Sequence, residues 1–99
     1  MRLTDRQASR ILQLSQEVAG IPVDVRVFGS RLDDRAKGGD LDLLIELAEP
    51  VAEPALLATR LSAKVSRLFD GRKVDVLLSA PNLMRLPIHE IALREGQKL

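Results

Sequence analysis

The chain has no cysteine, tryptophan or tyrosine, and only one histidine and two phenylalanines among its 99 residues. Without cysteine it can form no disulfide framework, no thiolate metal site and no cysteine nucleophile. One histidine is too few for a histidine-rich zinc site within one chain. Two aromatic side chains leave almost nothing for stacking on bases, which argues against binding of single-stranded nucleic acid.

The chain also lacks a charge excess and a long apolar run. Fifteen Lys+Arg balance fourteen Asp+Glu, giving a net charge of +1, whereas proteins that grip nucleic-acid phosphates usually carry a basic excess. With no membrane span or signal peptide in the sequence, we expect a cytoplasmic protein. The length fits one domain over residues 1–99, and the 45% hydrophobic and 29% charged fractions are ordinary for a globular protein.

Helical periodicity and capping signals predict the helices. The first begins after a capping box of Thr4 and Gln7 and ends at Gly20. A short helix is expected from Ser30 to about Arg35. The two later helical regions run from Pro54 to the Asp70-Gly71 turn and from Pro81 onward, the latter broken at Pro87 and resuming over Ile88–Glu95.

Residues that alternate with a period of two predict three strands, Val23–Phe28, Asp40–Leu47 and Lys73–Leu78. The element order is therefore α-β-α-β-α-β-α. Each strand has one clean apolar face, so we expect helices on that face only. A βαβ crossover would make the second and third strands parallel neighbours, and Asp40, Asp42 and Asp75 would then converge on the opposite face.

The segment between the first two strands carries the chemistry. A Gly29-Ser30 turn can present backbone N–H groups to a phosphate. Asp40 and Asp42 can project on one face of a strand and hold a hard cation such as Mg²⁺. Asp75 would complete the coordination of a second metal ion or take the proton from a nucleophile. This equipment is suited to phosphoryl or nucleotidyl transfer, with Arg31, Arg35 or Lys37 available to neutralise departing pyrophosphate.

Each of these signals also has a purely structural interpretation. A Gly-Ser turn is usually only a turn, and an Asp-x-Asp at a strand start is more often a solvated strand end. The three carboxylates gain weight because they share the predicted open face, where like charges repel unless a cation relieves them. His89, on the last helix, is expected to be structural or exposed rather than catalytic.

Three segments together resemble the DNA polymerase beta-like nucleotidyltransferase superfamily: Phe28-Gly29-Ser30-Arg31, Gly39-Asp40-Leu41-Asp42-Leu43-Leu44-Ile45 and Lys73-Val74-Asp75-Val76-Leu77-Leu78. The small size is similar to that of the minimal nucleotidyltransferases. The resemblance implies an α/β (α+β) fold with a three-stranded mixed sheet and helices on one face.

The resemblance also implies an activity. It suggests Mg²⁺-dependent use of a nucleoside triphosphate, with two ions, and transfer of a nucleoside monophosphate. Gly29, Ser30 and Arg31 would bind the nucleotide, and Asp40, Asp42 and Asp75 would be both the metal ligands and the catalytic residues. The spacer from Ser30 to Asp40 is nine residues, one fewer than the commoner form, and Gly39 stands where a serine is often found.

Many minimal nucleotidyltransferases resemble antitoxins that are paired with a small helical HEPN-type toxin. That resemblance implies transfer of AMP from ATP onto a hydroxyl of the partner protein. Two alternatives stay open: a non-catalytic antitoxin of the same fold, and a nucleotidyltransferase that acts on a small molecule. A homo-oligomer is also compatible with the sequence, whereas nucleic acid and membrane partners are not expected.

Overall fold

The computed structural model describes residues 3–29 and 41–99. In these two ranges the helices are α1 (Asp5–Ala19), α2 (Pro54–Leu68) and α3 (Pro87–Glu95). The strands are β1 (Val23–Phe28), β2 (Leu41–Leu47), β3 (Val74–Ser79) and β4 (Gln97–Lys98). The short helix expected from Ser30 to Arg35 lies outside the described residues.

The helix ends follow local chemistry. The Thr4 hydroxyl accepts a hydrogen bond from the Gln7 backbone N–H at 3.1 Å, and the Gln7 side chain accepts one from the Thr4 N–H at 2.9 Å. This confirms the capping box. Gly20 ends α1 in the left-handed conformation, at φ 74°. None of the helices in the described ranges is long and apolar enough to cross a membrane.

The last helix begins later than the sequence predicted. Residues 81–86 are not helical, and α3 starts at Pro87. Proline lacks the N–H that a preceding helix would need, and it biases the residue before it toward extended backbone. Leu86 has that conformation, at φ −106° and ψ 163°. The prediction of a helical region from Pro81 to the break at Pro87 is therefore wrong, whereas the predicted stop at Gly96 agrees with α3 ending at Glu95.

The strands form one mixed sheet in the order β3-β2-β1-β4. β2 pairs antiparallel with β1 and parallel with β3, as a crossover through α2 requires. The mixed sheet confirms the predicted fold class. The described part of the chain has a fourth strand that the sequence did not indicate, because the two residues of β4, paired with β1, are too few to show an alternation.

The main core lies between one sheet face and helices α1 and α2. Ile11 of α1 and Leu61 and Val65 of α2 are fully buried there. The sheet residues facing them come from all three long strands: Val23, Val25, Val27, Leu41, Leu43, Ile45, Leu47, Val74 and Leu78. This is the apolar face that the alternation predicted.

The opposite sheet face is partly covered, which corrects the expectation that helices lie on one face only. Ala92 of α3 is fully buried against Phe28 and Leu44, and Leu77 and Leu93 pack around them. The physical reason is the apolar character of Phe28, Leu44 and Leu77 on an otherwise polar face. Exposing them to water would forgo the free energy of their burial. Asp42 lies on the same sheet face, next to Phe28 of this cluster.

His89 connects α3 to β3, which is at the edge of the sheet that the described strands form. Its side chain is buried, its Nδ1 accepts a hydrogen bond from the Leu86 N–H at 2.9 Å, and its Nε2 lies 2.8 Å from the Leu78 carbonyl oxygen. An Nδ1 that accepts leaves the proton of the neutral ring on Nε2, which then donates to Leu78. His89 is structural, as the sequence suggested.

Two serines of α2 donate hydrogen bonds to backbone carbonyls along the edge of β3 that faces away from β2. The Ser62 hydroxyl donates to the Val74 carbonyl and the Ser66 hydroxyl to the Arg72 carbonyl, both at 2.6 Å. With the His89 contact to Leu78, these bonds occupy backbone acceptors that an added strand would use. The edge of β3 is thereby protected by side chains of α2 and α3.

The substitution His89→Ala tests this attachment. We expect the free energy of unfolding to fall by about 2–3 kcal/mol, because the part-buried Leu86 N–H and the buried Leu78 carbonyl lose their partner. Urea denaturation measures it. Glu90→Ala is the matched control on the next residue, where an exposed ion pair with Arg85 contributes less than about 1 kcal/mol. Equal losses in the two variants would contradict a structural role for the imidazole.

Candidate active site

The registers of two strand pairs bring Phe28, Asp42 and Asp75 into one row. Phe28 of β1 is directly opposite Asp42 of β2, and Asp42 is directly opposite Asp75 of β3. Directly paired residues project on the same sheet face, and neighbouring strands lie about 5 Å apart. The two carboxylates therefore lie side by side, at the sheet end where β1 finishes and β2 and β3 begin.

This row is on the face that α3 only partly covers. Asp42 is half-buried, and the side chain of Asp75 is 52% exposed. Because like charges directly opposite one another on paired strands are destabilising, the backbone register holds the two aspartates in an arrangement that a cation would relieve. Solvent and solutes can reach Asp75 from the open side.

Gly29 follows β1 and leaves room for the Asp42 carboxylate. Its backbone has φ +77°, a left-handed value that glycine adopts without strain. A Cβ at this position would overlap Oδ2 of Asp42 and lie 3.3 Å from its Cγ. The absence of a side chain at Gly29 therefore lets the Asp42 carboxylate lie where a Cβ would otherwise be.

Among the described residues, Lys73 forms an ion pair with a carboxylate of this row. Its Nζ lies 3.9 Å from Oδ1 of Asp75, and its side chain is 69% exposed. The Lys73 carbonyl accepts a hydrogen bond from the Leu41 N–H at 3.1 Å, which places the lysine beside the start of β2. Strand alternation explains the contact, because residues two apart project on the same face.

A cleft of about 450 Å³ opens beside Asp75, between β3 and α2. One wall is the small-residue face of α2, and the other is the start of β3. Polar residues in its lining are Thr59, Ser62, Ser66, Lys73 and Asp75. The cleft lies on the core side of β3, whereas the Asp75 side chain projects on the opposite sheet face, so the cleft adjoins Asp75 at the edge of this strand.

The structure brings together three of the predicted site residues, Gly29, Asp42 and Asp75. The other three, Ser30, Arg31 and Asp40, lie outside the described residues, as do Arg35 and Lys37. Within residues 3–29 and 41–99, no group of three or more His, Cys, Asp or Glu side chains is placed to hold a metal ion. The described part of the predicted metal site is thus the pair Asp42 and Asp75.

These two carboxylates suit a hard divalent cation. Mg²⁺ takes oxygen ligands and is commonly bound through one or two protein carboxylates together with substrate phosphates. The pair supplies such oxygens, and the Asp42 carboxylate packs against the backbone of Gly29. The donor set therefore fits Mg²⁺, and among the described residues Asp42 and Asp75 are those that would hold it.

Sequence reasoning assigned no role to Lys73. The signal was available, because Lys73 precedes Asp75 by two residues in an alternating strand and must share its face. The basic candidates that the sequence suggested were those of the loop after Ser30. Only the folded strand shows that the ammonium and the Asp75 carboxylate approach each other.

Comparison with known protein families finds a match to the family described as Nucleotidyltransferase domain, over residues 6–99. The matched range includes every predicted site residue. Neither the curated proteins nor the solved structures gave a significant match.

The substitution Gly29→Ala tests the space beside Asp42. Because the overlapping atoms belong to a short side chain that can rotate, we expect the Asp42 carboxylate to be displaced. The free energy of unfolding should fall by about 1–2 kcal/mol for the left-handed backbone and by about 1 kcal/mol more for the overlap. Urea denaturation measures the stability, and the carboxyl ¹³C NMR signal of Asp42 reports the displacement.

Gly20→Ala is the matched control, since Gly20 has φ +74° and nothing within 4 Å of an added Cβ. Its free energy of unfolding should fall only by the amount that the left-handed backbone costs, and the Asp42 signal should stay unchanged. In an Asp42→Ala background the extra cost of Gly29→Ala should vanish. If Gly29→Ala and Gly20→Ala behave alike in both measurements, Gly29 does not shape this site.

Proposed function

The chain belongs to the nucleotidyltransferase domain family, and from this premise we propose that it transfers AMP from ATP onto a hydroxyl group of a partner protein. Family membership supports nucleotidyl transfer from a nucleoside triphosphate. The observation that carries the proposal is the register of β2 and β3, which sets Asp42 directly opposite Asp75 on an open sheet face. Two carboxylates side by side on an open face can bind the divalent cation that nucleotidyl transfer uses.

In the proposed reaction the acceptor oxygen forms a bond to the α-phosphorus of ATP, and the bond from that phosphorus to the bridging oxygen breaks. Pyrophosphate leaves, and the acceptor's proton passes to the Asp75 carboxylate. Asp42 and Asp75, with Asp40, would hold Mg²⁺, which when bound neutralises charge on the triphosphate. Gly29, Ser30 and Arg31 would orient the triphosphate.

A partner protein is proposed as the acceptor because of the access to Asp75. Among the described strands β3 is at the edge of the sheet, so none of them blocks the approach of another macromolecule to the Asp75 side chain, which is 52% exposed. The described lining of the adjoining cleft between β3 and α2 combines hydroxyl-bearing residues with one lysine and one aspartate and includes no aromatic residue. The proposed partner is a small helical protein of the HEPN type, with this chain as its antitoxin.

The test is incubation with ATP labelled at the α-phosphate, with Mg²⁺, and with the protein encoded by the adjacent gene. We expect label on the partner. Asp42→Asn and Asp75→Asn should each lower the labelling rate about 10²-fold or more, because a carboxylate that binds cation or takes a proton is lost. A chelator should abolish labelling, and added Mg²⁺ should restore it.

Asp24→Asn is the matched control. Asp24 is an exposed carboxylate at the other end of β1, paired with Lys98 at 3.6 Å, and its loss should leave the rate unchanged. Tight binding of the partner without any label, for every nucleoside triphosphate, would instead support a non-catalytic antitoxin. Label on a small-molecule acceptor and none on the partner would support the remaining alternative.

A further inference from the structure

We infer that Lys73 is a positioning residue of this site, holding Asp75 in the metal-free protein and releasing it to a divalent cation. The ammonium that leaves Asp75 then contacts the phosphates of the nucleotide. This inference rests on the proposed function, since it assumes that Asp75 takes part in binding a cation. It concerns a residue that the predicted site did not contain.

The geometry of the contact between Lys73 and Asp75 indicates that a bound cation can replace the ammonium. The separation of 3.9 Å between Nζ and Oδ1 is an ionic contact without a close hydrogen bond. Both side chains are more than half exposed, at 69% and 52%. Exposed pairs of this kind contribute little free energy, so giving up the contact costs the protein little.

Two other cations of the described residues on the same sheet face, Arg26 and Lys98, form ion pairs away from the row. Arg26 donates to Glu46 at 2.8 Å, and Lys98 lies 3.6 Å from Asp24, both toward the end of β1 that is remote from Asp42. Lys73 is the basic residue whose ion pair in the described part of the chain involves the Asp42–Asp75 row. Its position makes it a local countercharge to the Asp75 carboxylate.

Competition follows from charge. A divalent cation at Asp75 repels an ammonium at the same oxygen, so the two compete for the carboxylate. Lysine carries its charge on a flexible four-carbon stem, which lets the ammonium move without a change in the backbone. When a triphosphate arrives with the cation, the displaced ammonium has an anionic partner close to its former one.

The experiment measures binding rather than activity. Mn²⁺ binding is followed by electron paramagnetic resonance, and binding of α,β-methylene ATP, in the presence of Mg²⁺, by calorimetry. We expect Lys73→Met to bind Mn²⁺ about twofold to fivefold more tightly, because the competitor is gone. The same variant should bind the nucleotide analogue more weakly, by a similar factor, and Lys73→Arg should restore both affinities.

Lys64→Met is the matched control, because it removes the same charge from an exposed position on α2, in the layer on the other sheet face. It should change neither affinity. In an Asp75→Asn background, Lys73→Met should no longer alter Mn²⁺ binding. This coupling separates competition at one carboxylate from a general effect of net charge.

The outcomes distinguish this inference from the proposed function. If Mn²⁺ binding depends on Asp42 and Asp75 but is equal in Lys73→Met and Lys64→Met, the inference is overturned and the proposed function stands. If the wild type binds no Mn²⁺, both are overturned. Opposite shifts of the two affinities in Lys73→Met, absent in Lys64→Met, support the exchange.

Discussion

The parallel pairing of β2 with β3 is the constraint on which the site depends. A shift of one residue would turn Asp75 to the core and Val74 or Val76 to the surface. The register is fixed because β2 is buried on both faces, with Leu43 and Ile45 on one side and Leu44 on the other. The apolar core therefore determines which carboxylates meet on the polar face.

This arrangement places two like charges where the backbone does not allow them to separate. The unfavourable term is partly compensated within the chain, since the Lys73 ammonium lies near Asp75. The same features suit a cation site: oxygen donors held by a sheet, a glycine that lets the Asp42 carboxylate pack against it, and a countercharge that is only loosely attached. A binding site built on strands is positioned more accurately than one built on loops.

The third helix connects β3 with β1 across the sheet. It crosses the polar face of the sheet, from β3, where His89 contacts the Leu78 carbonyl, to β1, where β4 pairs after the helix ends. It thereby covers Phe28 and Leu44 and leaves the carboxylate row open. The hydroxyls of Ser62 and Ser66 protect the edge of β3 and leave the Asp75 side chain accessible.

The sequence by itself determined both ends of the first helix, the three long strands and the face on which Asp42 and Asp75 project, because these depend on residues close together in the chain. Thr4 and Gln7 form their capping box, and alternation alone places Asp75 opposite the core. Local patterns could not show β4, the burial of Ala92 on the second sheet face, or the contact between Lys73 and Asp75. Those follow from pairing and packing between distant segments, whose register and crossing are decided by the whole core.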